Sequence, residues 1–306
     1  MPSEVELRLH EATFRAFGSP CRIVSDVESA ITAAVHRLED IEARWSRFLP
    51  GSEISAINEH AGRWVEVSSL TVGLVRRAME AGERTSGAIN PLLLRNLIAL
   101  GYDRSHESLV ASSRPASRIA RSTISHDSTD IEVDGGAIKI PPNVSFDPGG
   151  VGKGLAADIV MDDILDVGAT WAMVSLGGDI RFGGRALADS GWDVNVENPI
   201  DRSSIAGTIH VADGAIASSS TRSRRWLHAG QTNHHLLDPL TGAPKNSPRH
   251  ATTVWAESAW WADVVAKALI IDPTIGREQL HHWEASAIAF TDDGVEDLGL
   301  RLGDPK

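Results

Sequence analysis

GTIHVADGAIASS (207–219) reads as two short strand-like runs joined by the turn Ala212-Asp213-Gly214. β-branched residues suit a pleated, half-buried surface, and Asp-Gly tolerates the backbone of a tight turn. Outward from this stretch the same signature recurs. Upstream lie WAMVSL (171–176) and WDVNVEN (192–198), and IEVDGGAIKI (131–140) alternates about Asp134-Gly135-Gly136, the pattern of a β-hairpin. Downstream, ATTVWA (251–256) feeds a helical run from about 258 to 271, and a short helix with the strand SAIAF (286–290) finishes the core. Hairpin-type connections outnumber strand–helix–strand units. The expected class is therefore α+β, with mostly antiparallel or mixed sheets and packed helices.

Toward the N-terminus, Ile31, Ala34, Val35, Leu38, Ile41 and Trp45 recur at steps of three and four, which predicts a helix over about 25–45. Ser25 followed by Glu28 reads as its capping box. A second helix is predicted over about 68–84, with Leu70, Leu74, Val75 and Ala78 inward and Gly87 just past its end. A third is predicted over about 153–167, closed by Gly168. Residues 46–67 look too irregular for a core element, and 104–129, rich in Ser, Arg and His, read as surface loops. No internal repeat is visible, and the length of residues 1–306 fits one large domain or two tightly joined ones.

The chain carries 29 Lys+Arg against 41 Asp+Glu, a net charge of −12, which argues against a nucleic-acid backbone or an anionic membrane as the main partner. Any phosphate it binds must be held by local backbone N–H groups, a metal or a few placed cations. One cysteine, Cys21, rules out an intrachain disulfide and a Cys-rich zinc site. No apolar run approaches the roughly 20 residues of a membrane span. The start MPSEVELRLH shows no basic-then-apolar leader, so a cytoplasmic location is expected.

Four clusters carry candidate chemistry. Thr85-Ser86-Gly87-Ala88-Ile89-Asn90-Pro91 is, taken alone, a helix end plus a turn. Phe146-Asp147-Pro148-Gly149-Gly150-Val151-Gly152-Lys153-Gly154, with Asp158 one turn further on, places glycines and a lysine where a helix N-terminus favours an anion. Its spacing is neither the Walker P-loop nor the dinucleotide fingerprint, and a plain Gly-rich helix start fits it equally. Ser175-Leu176-Gly177-Gly178-Asp179 leaves a strand in what reads as a tight turn pressed on a backbone or a flat ligand, and a plain bulge or turn fits it equally. His234-His235-Leu236-Leu237-Asp238-Pro239-Leu240-Thr241-Gly242 places two histidines side by side; in extended chain they point opposite ways, which argues against one shared metal.

In their order along the chain these clusters resemble the ApbE family of flavin transferases. Phe17-Gly18-Ser19 is similar to the family's Met-Gly-Thr, and Trp45-Ser46-Arg47-Phe48 with Gly51-Ser52-Glu53-Ile54 and Asn58 to its fSryxpxSEIsxlN stretch. Thr85 to Pro91 resembles T-x-G-A-F-D-P, and Asp147 to Gly154 the D-x-x-x-x-A-K-G segment. Ser175 to Asp179 resembles N-x-G-G-D, and Ala217-Ser218-Ser219-Ser220 A-T-S-G. His234-His235-Leu236 with Asp238-Pro239 and Thr241-Gly242 resembles H-H-I-x-D-P-x-T-G, and Ala262-Asp263 opens A-D-A-x-A-T. The implied fold is α+β with a flavin cleft between two intimately packed lobes. The implied reaction moves FMN from FAD onto a Thr or Ser of an acceptor protein and releases AMP, with Mg²⁺ assisting.

Position by position, the resemblance implies cofactor contacts at Phe17, Gly18, Phe48, Ala88, Ile89, Asn90, Asp147, Lys153, Gly177, Gly178, Asp179, Ser218, His235 and Leu236. It implies catalytic roles for His235 and Asp263, and metal ligation by Asp263 and the Gly152 carbonyl. Asn90 departs from the family's Asp, and Ser218-Ser219-Ser220 from Thr-Ser-Gly. Lys267 stands four residues after Asp263, where the family has a metal-binding Thr, and Arg222, Arg224 and Arg225 add positive charge. Positions i and i+4 share a helix face, so the Lys267 ammonium is expected beside Asp263, weakening metal binding. An FAD-binding protein without transferase activity, and an FAD pyrophosphatase in which water attacks, are the competing readings.

Overall fold

The structure, a computed structural model, describes residues 8–111, 125–184, 191–201 and 203–305. Its frame is an eight-stranded sheet: β1 (His10–Ala16), β2 (Ser19–Ser25), β3 (Trp171–Leu176), β4 (Asp179–Gly184), β5 (Gly214–Ser220), β6 (Arg249–Ala256), β7 (Ser286–Thr291) and β8 (Gly294–Leu298). Every neighbouring pair is antiparallel and the strands lie side by side in chain order. The junctions β1–β2, β3–β4 and β7–β8 are two-residue turns. The others are long excursions that return to the adjacent position, and those excursions carry the cleft.

Five longer helices lie in the excursions: α1 (Glu28–Trp45), α2 (Ser69–Arg84), α3 (Gly152–Asp166), α4 (Ala259–Ile271) and α5 (Pro273–His282). Ala215 and Ala217 of β5 face the helix-side core with Leu38, Ile41, Val160 and Leu269, whereas Ile216 faces a second core with Phe182, Ile209 and Phe290. All thirteen residues of α4 are buried, the behaviour of a helix apolar on every side. Asp158 of α3 supplies its cap, accepting from Ala259 N–H at 2.8 Å and Trp260 N–H at 2.9 Å. Burial pushes that carboxyl up to about 6, against the pull of the two amides and of Arg181.

The α+β class and the antiparallel sheet follow the sequence reading, and the hairpin at 131–140 forms, with Glu132–Asp134 paired to Ala137–Lys139. Several local expectations do not hold. The strands joined at Ala212-Asp213 do not pair with each other: Ile205–Val211 pairs with Trp192–Glu197, while β5 is enclosed by β4 and β6. The bend carries the chain from one sheet to another, and Gly214, at φ +85°, leaves no room for a Cβ beside the Ala256 carbonyl. α1 starts at Glu28 without a side-chain cap, because Ser25 ends β2 and its Oγ accepts from Val27 N–H at 3.1 Å. The supposedly irregular 46–67 contains a helix, Glu53–Glu59, that buries Ile54 and Ile57 and is capped by Ser52. Two apolar residues are too few to show a period. Residues 104–129 hold the short helix His106–Ala111 and a turn at Ser128–Asp130, and 112–124 lie outside the described residues.

Asp158→Ala strips the two amides that open α4 of their acceptor. Urea unfolding at pH 7 is expected to show a loss of about 1–3 kcal/mol; an unchanged midpoint would show that the cap contributes nothing.

Candidate functional site

One cleft of about 650 Å³ gathers most of the candidate residues. Its rim begins at the β1–β2 turn, where Phe17 (φ +53°) and Gly18 (φ +61°) both take left-handed backbone, the geometry of a type I′ hairpin. Phenylalanine is a poor choice there, and the Phe17 N–H donates to Glu42 Oε1 of α1 at 2.7 Å, which pins the turn. Glu42 is half-buried, and burial raises its carboxyl above the usual range despite that amide.

An aromatic wall follows. Phe48 and Tyr102 line the cleft, their ring centres 6.2 Å apart, and Tyr102 stacks on Trp226 at 4.9 Å. The Arg47 guanidinium lies 4.1 Å from the Phe48 ring centre and 4.7 Å from that of Tyr102, donates to the Tyr102 carbonyl at 3.1 Å, and faces Asp147 Oδ1 at 3.5 Å. Leu93, Leu97 and Leu237 complete the apolar side. Thr85 builds the neighbouring loop: its hydroxyl donates to the Ala81 carbonyl and accepts from Ile89 N–H at 3.0 Å, which presents Ala88, Ile89 and Asn90 to the cleft. Asn90 uses its side chain on backbone, donating to the His126 carbonyl and accepting from Leu92 N–H.

The floor is charged. Asp147 caps the turn Pro148–Gly150 by accepting from Gly149 N–H at 3.1 Å, and α3 then begins at Gly152 with no side-chain cap. Gly149, Gly150, Gly152 and Lys153 all line the cleft. Gly154 does not: a Cβ there would stand 2.5 Å from the Ala259 carbonyl oxygen, so this glycine serves the crossing of α3 and α4. Lys153 forms an ion pair with Asp179. Burial pushes its ammonium down to about 7, with Arg224 and Lys267 adding to the fall and Asp263 opposing it. Arg224 and Lys267 line the same floor. Lys267 touches Asp263 in an ion pair one helical turn apart, and both are buried.

The two histidines separate as extended geometry requires. His234 donates from Nε2 to the Lys245 carbonyl and accepts at Nδ1 from Leu236 N–H, a structural role. His235 faces the cleft with Nδ1 buried and, among the described residues, unpartnered; burial, then the positive charge of Arg224, holds it well below its usual range, hence neutral at pH 7. Asp238 closes the following turn, accepting from Leu240 and Thr241 N–H and from Lys245 Nζ.

The cleft thus brings together Phe17, Gly18, Phe48, Ala88, Ile89, Asn90, Asp147, Gly152, Lys153, His235 and Leu236. Asp179 and Asp263 sit beneath it, reached through Lys153 and Lys267. Gly177 and Gly178 form the β3–β4 turn, where Gly177 presses on Ser19, and neither lines the cleft. Ser218 lies exposed on the face of β5 opposite Ala217, bonded to Thr253 Oγ1 at 2.8 Å. Arg47 and Tyr102 were not singled out as contacts by sequence reasoning. Arg47 sits inside a quoted motif, and Tyr102 is the chain's single tyrosine, but nothing in the spacing shows that they meet.

A model of the ApbE family matches residues 4–288. The FAD:protein FMN transferase of Vibrio cholerae is 27% identical over 285 residues, covering 90% of this chain and 83% of its own. Its namesake in Haemophilus influenzae is 24% identical, covering 84% and 77%. The crystal structure of the ApbE protein of Thermotoga maritima superimposes with a TM-score of 0.83 at 26% identity, over 95% of this chain and 97% of its own. Because the match spans nearly the whole chain, from the first hairpin to β7, the protein belongs to the ApbE family.

Proposed function

We propose that this chain is an FAD:protein FMN transferase that binds FAD in the cleft and moves its FMN half onto a Thr or Ser hydroxyl of an acceptor protein. The observation that carries the reading is the convergence of Lys153, Arg224 and Lys267 at the floor of one cleft whose wall is aromatic. A dinucleotide needs both: a ring packs against the aromatic wall at the exposed Phe48, which Tyr102 backs, and the diphosphate lies over the cations. The curated relatives carry the same activity in their names.

The chemistry is substitution at phosphorus. The acceptor oxygen bonds to the phosphorus of the FMN half, the bridging P–O bond breaks, and AMP leaves with the electron pair. The protein positions the diphosphate and neutralises the leaving phosphate. His235, neutral and with Nδ1 unclaimed, is the group placed to take the hydroxyl proton, and the negative diphosphate raises its affinity for that proton.

The resemblance implies Mg²⁺ on Asp263 and the Gly152 carbonyl, and the residues here do not fit it. One Asp263 oxygen is taken by the Lys267 ammonium. Among the described residues, no three His, Cys, Asp or Glu side chains group as a metal site. A single carboxylate already balanced by a fixed cation is a poor seat for an ion that demands near-ideal octahedral oxygen ligation.

AMP release is expected from FAD only when an acceptor protein is supplied, with flavin fluorescence retained on that protein after denaturation. Equal AMP without acceptor would assign hydrolysis, and absence of FAD binding would remove the reading. Lys153→Ala is expected to weaken FAD binding by about 1–3 kcal/mol, the cost of a charge-assisted contact in a partly buried site; titration of intrinsic fluorescence checks it.

Binding should also be linked to protons. Burial pushes the Lys153 ammonium down to about 7 and a bound diphosphate favours it, so above that pH FAD is expected to bring a proton with it. Affinity should fall as pH rises from 7 toward 9. Calorimetry in buffers of different ionisation heat should show uptake approaching about one proton at pH 8, and none in Lys153→Ala.

A further inference from the structure

Lys267 is an expensive residue for its position. It belongs to a helix buried on all sides, and an ammonium there is tolerated only when paired and hydrogen-bonded. Its partner Asp263 gives it Oδ1, and the Asp263 carbonyl oxygen lies 3.4 Å from Nζ. The pair is not closed, however. Among the described residues Asp263 Oδ2 is buried without a partner, and Lys267 lines the open cleft.

Arg224 is held in a comparable way. Its backbone is left-handed, at φ +47°, a conformation that costs a non-glycine residue and here sets the side chain into the cleft. Among the described residues its guanidinium makes one hydrogen bond, to Ser19 Oγ at 3.4 Å. Most of its five donors are therefore unspent. Both Arg224 and Lys267 act electrostatically on Lys153 and on His235, so the cations are crowded over one spot. Lys153 pairs with Asp179, Lys267 with Asp263 and Arg47 with Asp147, so among the described residues Arg224 is the floor cation without a carboxylate partner. An unpaired guanidinium beside two carboxylate-held ammonium groups in a cleft draws an anion to that spot.

We infer that Lys267 and Arg224, with Lys153, supply the charge that balances the FAD diphosphate, so that this cleft takes FAD without a divalent ion. The inference rests on the FAD reading above. Lys267 does not contact the diphosphate at the expense of Asp263: an ammonium has three donors and spans both. Asp263 is then a positioning residue that holds the ammonium in the helix face toward the cleft.

The test is FAD affinity of the whole chain, read by fluorescence titration in EDTA and in excess Mg²⁺. The wild type is expected to bind equally, within about twofold, in both. Lys267→Thr should lose about tenfold or more in EDTA and regain part of it with Mg²⁺, as should Arg224→Ala without the regain. Because Lys267→Thr strips Asp263 of its partner, Asp263→Asn is measured beside it. If Asp263 only holds Lys267, Asp263→Asn binds FAD in EDTA as tightly as the wild type or tighter. Wild-type affinity that rises about tenfold on adding Mg²⁺, or an Asp263→Asn that loses that rise, would overturn the inference while leaving the FAD reading intact. Failure of the wild type to bind FAD in either condition would instead overturn the FAD reading, and this inference with it.

Discussion

Helix α4 lies inside the protein with no face to solvent, and Asp263 and Lys267 meet one turn apart along it. Neither charge has a route to bulk water except the cleft, so the helix cannot rotate without driving a charge into hydrocarbon. Its other polar demands are met locally. The Asp158 carboxylate takes the first amides, Thr252 Oγ1 donates to the Ala266 carbonyl, and Arg249 donates to the Leu269 carbonyl at 3.1 Å. α3, β6 and the cleft floor are therefore indexed to one helix, and the geometry of the floor depends on its setting.

The periodic elements were legible because burial on one side writes itself into sequence: Ile31, Leu38, Ile41 and Trp45 are all buried on α1. α4 was legible as a helix but not as the centre, since an apolar run has no face to read. The strand runs were visible too, yet their partners were not. Nothing local in 207–219 distinguishes a hairpin from a chain that changes sheets, and the decision rests on Trp192–Glu197 and β6 far away. The same limit applies to the site. Motif order placed Lys153, His235 and Asn90 in one cleft, but the aromatic cluster of Phe48, Tyr102 and Trp226 joins residues 48, 102 and 226 by packing alone. Glycines were the most ambiguous signal: at Gly154 and Gly177 an added Cβ would strike neighbouring protein atoms, a packing demand that no local spacing reveals.

Net charge proved a poor guide to the local field. The chain is acidic by twelve charges, yet its cleft floor concentrates three cations. Surface carboxylates are screened within about 8–10 Å at ordinary ionic strength. A buried cluster is screened far less, so the ligand experiences the floor and not the total. Acidity of the exterior discourages polyanions, while the cleft admits a small anion that can shed its water.

The contact of Gly154 with Ala259 has a mechanical consequence. With the two backbones touching and Asp158 tied to the next amides, the N-terminal turns of α3 and α4 move as one piece. That piece carries Lys153 on one side and Asp263 with Lys267 on the other. Admission of a bulky guest thus falls to the opposite bank, where one amide–carboxylate bond ties the Phe17-Gly18 hairpin turn to α1 and Phe48 stands 39% exposed. The anvil is stiff and the jaw is soft, which assigns hydrogen-exchange protection to the floor and early exchange to the rim.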